Sequence, residues 1–360
     1  MFLPDLFKAV GSLLIVLHHL AFYGPMSDAV ATVWPQVIDW LYDHGRLAVQ
    51  VFLVVSGFLS AQQLQPLPAL TGGQTVRLIV QRYMRLSLPL LAALSLTVLL
   101  SELVRPAFDH ESLSETPDWL QAWSHVFLLQ HALHEEALSA GVWYVSIDLQ
   151  LYVLSVLIVW ALGRWQTGER LLNPVWLGLT LLSMVWWNRH PELDDWALYF
   201  VAAYGMGVLA GMGRLRVQGP APQMAGVLLA MGLLGWWLDP RERLAVACAT
   251  ALALVLVPKA WMRGPQGAWR QPVDALARIS YSVFVVHFGI SIGVNALFSL
   301  WLPDHALVQG LGMALALGLS LLAGGALYRW VERPQPTGSR WAWMTGGFLA
   351  SSALAIWLAA

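Results

Sequence analysis

The chain is 360 residues long, 58% hydrophobic and only 11% charged, with a formal net charge of -1 and a mean hydropathy of +0.61. A soluble core of this size would need a charged shell, whereas here the charges collect in short tracts between apolar runs of about 17–22 residues, the length that crosses a bilayer. The neutral balance gives no basis for a nucleic-acid partner, and a single cysteine, Cys248, excludes an internal disulfide, a CxxC redox pair and a thiolate-based zinc site.

The first element, PDLFKAVGSLLIVLHHLAFYG, sets Asp5, Lys8, His18 and His19 along a greasy segment. No small-x-small site follows it, and its ionisable residues do not suit a disposable signal, so a retained first span is expected. Hydropathy then places spans near 7–24, 44–64, 86–104, 142–162, 171–188, 196–213, 221–238, 243–262, 279–301, 306–328 and 342–360. The fold class is an all-α polytopic integral membrane protein with ten to eleven transmembrane helices. Asp118 to Leu133 is short and carries His125 and His131, so it reads as an amphipathic helix on the outer face. His125, His131 and His134 read as solvated loop histidines, and no metal site is expected. Arginines and lysines follow the even-numbered spans (Arg77, Arg82, Arg85; Arg164, Arg170; Arg214, Arg216; Lys259 to Arg278; Arg329, Arg333, Arg340), while the opposite tracts are acidic or mixed. By the positive-inside rule the N-terminus is cytoplasmic and the C-terminus outside.

Ionisable groups inside a bilayer are costly enough to mark function. Lys8 and His19 are eleven positions apart, which returns a helix to nearly the same face about 16 Å further along. Asp5 and Ser12 share that stripe, and His18 points about 100° away. Read alone, Lys8 snorkelling to the interface and His19 as a packing residue would also explain it. Helix rise brings Ser56 of the second span, Asp148 and Gln150 of the fourth, and Ser280 and His287 of the ninth to similar depth, suggesting a chamber in mid-membrane.

These segments resemble the acyltransferase-3 family, integral-membrane O-acyltransferases that modify bacterial cell-envelope sugars. DLFKAVGSLLIVLHHLA is similar to the family's opening helix, in which a basic residue precedes a critical histidine by eleven positions, here Lys8 and His19. AVQVFLVVSGFL resembles its Ser-Gly-Phe signature, here Ser56, Gly57 and Phe58, and RYMR its Arg-x-x-Arg, here Arg82 and Arg85. WYVSIDLQLYVL is similar to its Trp-x-x-Ser-x-Glu-x-Gln-x-Tyr run at Trp143, Ser146, Gln150 and Tyr152, ISYSVFVVH to its late Ser-Tyr-Ser to His segment, and VERP to its Glu-Arg-Pro. Lys8 stands where the family usually has arginine and Asp148 where it has glutamate; both keep charge and alter reach.

The resemblance implies a 1–340 acyltransferase-like membrane domain followed by an additional helix at 341–360, in the bacterial cytoplasmic membrane. It implies acyl-CoA, by default acetyl-CoA, as donor substrate with no permanently bound cofactor, and a hydroxyl of an envelope glycan or lipid-linked sugar as acceptor. A separate periplasmic protein completing the transfer is compatible with it. The chemistry needs a base for a poorly nucleophilic hydroxyl: His19, with Lys8, Asp5 and Asp148 around it. Arg82 and Arg85 are expected to grip donor phosphates at the cytoplasmic mouth, with Glu332 and Arg333 ordering that site or pairing with each other. Trp143 serves as a sugar-stacking face or an aromatic-belt anchor; Ser56, Gln150, Tyr152, Ser280 and His287 line the chamber. The competing class is a polytopic transporter using the histidines as a proton relay.

Overall fold

The computed structural model describes every residue except 65–68, 166, 265, 266, 269 and 360, and the described residues contain no strand. The helices are α1 (Phe2–Phe22), α2 (Pro25–Ala31), α3 (Pro35–His44), α4 (Ala48–Leu64) and α5 (Gly72–Val104). Next come α6 (Trp119–Phe127), α7 (Val142–Leu162), α8 (Gly168–Val185), α9 (Ala197–Val217) and α10 (Pro222–Leu238). The last are α11 (Glu242–Leu256), α12 (Lys259–Arg263), α13 (Arg270–Trp301), α14 (Ala306–Leu327) and α15 (Gly338–Ala359). Among the described residues, 8 stretches are long and apolar enough to cross a membrane: α1, Pro35–Leu64, α5, α7, α9, α13, Ala306–Glu332 and α15. The chain is therefore a polytopic membrane protein.

Three expected spans fall outside that set. α8 has 18 residues interrupted by Glu169, Arg170 and Pro174, α10 has 17, and α11 has 15. The expected 243–262 span breaks at Pro258, because proline lacks the N–H a helix needs and pushes Val257 into an extended conformation (φ -55°, ψ 132°). In the other direction, α5 begins fourteen residues before the expected 86. Nothing between Gly73 and Pro89 breaks a helix, so Arg77, Arg82 and Arg85 lie on α5 and not in a connecting tract. The last expected span ends at residue 360, which lies outside the described residues.

The chain forms two compact units. The first comprises 1–11, 47–83 and 147–277. In it α4 and α9 approach backbone to backbone: a Cβ at Gly57 would lie 2.1 Å from the Tyr204 carbonyl oxygen, and one at Gly207 2.0 Å from that of Val54. Small residues permit this contact, which supplies dispersion where lipid offers no hydrophobic driving force. Both ends of α9 are tied to its neighbours. At its start, Asn188 Nδ2 donates to the Tyr199 carbonyl (2.9 Å), and Arg241, in the α10–α11 turn, donates to the carbonyls of Asn188 (2.6 Å) and Met184 (3.0 Å). At its other end, Arg214 Nη1 donates to the carbonyls of Val257 (2.7 Å) and Leu254 (3.1 Å), and Ala221 N to that of Val255 (3.1 Å). α10 and α11 therefore run the height of α9 despite their shortness.

The second unit comprises 12–46, 84–146 and 278–360. α2 packs on α14, where a Cβ at Gly312 would meet Met26 Sδ at 2.5 Å, and a Cβ at Gly324 of α14 would lie 2.9 Å from the Val283 backbone of α13. α6 starts at Asp118, whose carboxylate accepts from Gln121 N (2.7 Å), and ends at Leu128 in the left-handed region (φ 58°). It exposes Trp119, Leu120, Trp123 and Phe127 and buries Gln121, Ser124 and His125. The reading of His125 as a solvated histidine is corrected: it is 1% exposed. Its Nδ1 donates to the Gln121 carbonyl (2.8 Å) and its Nε2 accepts from Leu138 N (3.0 Å). Burial pushes its pKa down to about 4.

Candidate active site

In the second unit α1 and α13 bring His19 and His287 together, 8% and 0% exposed, with His19 Nδ1 2.6 Å from His287 Nε2. The ring planes differ by 13° and the centroids are 4.9 Å apart. That centroid separation beside so short an N···N distance means the rings meet edge to edge, nearly coplanar, which directs the bond along the ring lone pair. His287 Nδ1 lies 3.2 Å from the Val283 carbonyl, one helical turn back. Tyr23 stands edge-on to His19, with ring centroids 5.4 Å apart. His18 faces elsewhere, as the helical offset predicts: its Nδ1 donates to the Leu41 carbonyl (3.0 Å), and it packs where a Cβ at Gly45 would come within 2.6 Å.

In the first unit Asp148 of α7 is 3% exposed and is held from two sides. Ser56 Oγ of α4 donates to Oδ1 (2.5 Å) and Arg82 Nη2 of α5 to Oδ2 (2.5 Å). The Arg82 guanidinium also lies 5.2 Å from the Tyr152 ring centroid. The structure thus distinguishes Arg82 from Arg85, which the sequence reading paired. Because α5 starts at Gly72, Arg82 sits well inside the helix and turns to the buried carboxylate, while Arg85 is exposed three residues on. Gln150 Oε1 accepts from Ala197 N (3.1 Å) at the start of α9. Lys8 pairs with Asp5 (2.7 Å), which also takes the terminal amine (3.1 Å). Lys8 thus shares α1 with His19 at the eleven-residue interval, and its charge is answered by Asp5.

The Glu332 region of the second unit departs from a regular helix. Tyr328–Glu332 forms a π-helical turn after α14, and Glu332 Oε2 accepts from Ser282 Oγ (2.6 Å). Such wide turns rotate the following side chains and are frequent at functional sites. Arg340 Nη2 donates to the Trp330 (2.9 Å) and Val331 (3.2 Å) carbonyls of this turn, and Arg333 is exposed. Ser282, the second serine of the Ser-Tyr-Ser motif, is the hydroxyl on Glu332, and Ser280 is buried two residues before it. Trp143 is half-buried, edge-on to Tyr144 with centroids 6.2 Å apart. Ser146 accepts from Gln130 Nε2 (2.7 Å), another buried partner that spacing did not reveal.

Comparison with known families matches residues 3–323 to the acyltransferase-3 family, described as an acyltransferase domain. No curated protein and no solved structure matches the chain. The match begins before Asp5 and takes in α1 from residue 3, all three arginines of α5, Asp148 of α7 and His287 of α13. Acyl transfer, and not carriage of a solute, is the chemistry that goes with such a match, and the chain belongs to the acyltransferase-3 family.

Proposed function

We propose that this protein moves an acetyl group from acyl-CoA to a hydroxyl of a cell-envelope glycan or lipid-linked saccharide, as a multi-pass enzyme of the bacterial cytoplasmic membrane with its N-terminus inside. The observation that carries this reading is His19, a buried histidine on the family-matched first helix, hydrogen-bonded through Nδ1 to a second buried histidine. His19 Nε2 takes the proton of the acceptor hydroxyl as its oxygen attacks the thioester carbonyl. The new C–O bond forms, the C–S bond breaks, and the proton passes from Nε2 to the departing thiolate. Arg85, exposed on α5, serves the donor phosphates, and Arg82 keeps Asp148 and Ser56 in place. Glu332 and Arg333 belong to the donor side, and Trp143 to the acceptor side.

Incubating the purified protein with radiolabelled acetyl-CoA and a set of glycans tests the reading. Label should reach a glycan hydroxyl. His19→Ala should lower the rate on the order of 10²–10⁴-fold at matched membrane abundance, as expected for loss of a general base. His18→Ala should be milder, and Arg85→Ala should raise KM for acetyl-CoA more than it lowers kcat. An active His19→Ala beside an inactive His18→Ala would overturn the assignment.

A further inference from the structure

The His19–His287 contact carries information about protons. Backbone carbonyls only accept hydrogen bonds, so the 3.2 Å contact with the Val283 carbonyl requires the proton of neutral His287 to sit on its Nδ1. Its Nε2 is then a bare acceptor, aimed at His19 Nδ1 along the common ring plane. His19 Nδ1 must therefore carry the hydrogen of that bond, and its Nε2 holds the lone pair. The chain Nδ1–H of His19 to Nε2 of His287, then Nδ1–H of His287 to Val283, has one consistent direction. Among the described residues no hydrogen bond reaches His19 Nε2.

We propose that His287 is a positioning residue that locks His19 in the Nδ1–H tautomer, so that Nε2 is the atom facing the acceptor's proton. The catalytic consequence rests on His19 being the base. When His19 Nε2 takes up that proton, the same Nδ1–H···Nε2 bond becomes charge-assisted and steadies the imidazolium without a carboxylate partner. The proton then leaves from Nε2 to the thiolate, returning the pair to its starting tautomers.

The test is ¹⁵N NMR of the full-length protein labelled at histidine, with His19→Ala identifying the His19 signals. Wild-type His19 should be protonated at Nδ1. His287→Leu removes the acceptor and should release His19 into mixed tautomers, with kcat falling about 100-fold and KM for both substrates unchanged. His287→Gln presents an amide oxygen that still accepts from His19 Nδ1, and should keep the tautomer and activity within about tenfold of wild type. A wild-type His19 protonated at Nε2, or a His287→Leu protein with unaltered tautomer and kcat, would overturn the proposal. An active His19→Ala beside a wild-type His19 protonated at Nδ1 would instead remove only the general-base reading.

Discussion

Four buried histidines in the second unit, His18, His19, His125 and His287, offset part of the cost of burial with ring-nitrogen hydrogen bonds, and His125 spends both of its nitrogens. His125 does so outside the membrane-spanning segments, donating to Gln121 and accepting from Leu138. Its neutral form is the one the fold accommodates, because protonation would turn the acceptor nitrogen into a donor facing the Leu138 N–H. With a folded pKa of about 4 against an ordinary 6.5, the unfolded chain takes up the proton first as pH falls. Its stabilising contribution is therefore complete above pH 6.5, declines between 6.5 and 4, and is gone below. Thermal unfolding in detergent at pH 7.5 and 4.5 should show a loss of up to roughly 3 kcal/mol attributable to this group, and His125→Gln should flatten the profile over that window. An unchanged pH profile in the variant would show that His125 is not the titrating group. Neither His125 nor Ser282 announces its burial in sequence, since a histidine on a short amphipathic helix and a serine two positions from another look alike whether solvated or buried. His19 and His287 could be named from their depth in apolar runs, but their pairing depends on how α1 and α13 pack, across 268 positions of chain. Asp148 was legible as an intramembrane charge; its partner Arg82 was not, because a count that starts α5 at residue 86 leaves Arg82 outside the helix.

At the scale of elements, apolar length marked the positions of the long helices, and what it missed is where polar residues continue or end them. Arg214 is the clearest case. Sequence reads Arg214 and Arg216 alike as charges flanking a span, and the structure separates them. Arg214, 7% exposed, caps the C-terminal end of α11 through the carbonyls of Leu254, Val255 and Val257, while Arg216 is exposed. The last carbonyls of a helix have no partner within it, and Pro258 prevents the chain from curling back to supply one. Arg214→Ala should therefore cost about 1–3 kcal/mol and lower the unfolding temperature in detergent, with Arg216→Ala within about 0.5 kcal/mol of wild type. Equal effects would mean that the cap contributes nothing and α11 is held by packing alone. The positions are informative because both changes remove one positive charge from the same end of α9, so a difference between them isolates the hydrogen bonds from the charge.

For the whole molecule, α8, α10 and α11 decide the sidedness. Eight crossings would return the end of α15 to the side on which α1 begins; eleven put the two ends on opposite faces. Within the first unit, Arg241 ties the α10–α11 turn to Asn188, which in turn holds Tyr199 at the start of α9, and Arg214 and Ala221 tie the far ends of α10 and α11 to its other end. α9, at 21 residues, is about 31 Å long and matches a hydrocarbon core of about 30 Å. Helices fastened alongside it at both ends have reason to cross with it, their missing length made up by the turns that carry Arg241 and Pro258. We therefore expect α11 to cross. In a Cys248→Ala background, a cysteine at Glu242, at the exposed start of α11, should react with a membrane-impermeant thiol reagent in intact cells. One at exposed Lys259, just beyond the other end, should react only after permeabilisation, since lysines and arginines are retained on the cytoplasmic side. Replacing Cys248 by alanine removes the sulfur that lies nearest Gly232 and so crowds nothing there. If both positions label from the same side, α10 and α11 form a hairpin that enters and leaves by one face; the eleven-crossing arrangement then fails, and with it the placement of Lys259 beside the acyl-CoA pool.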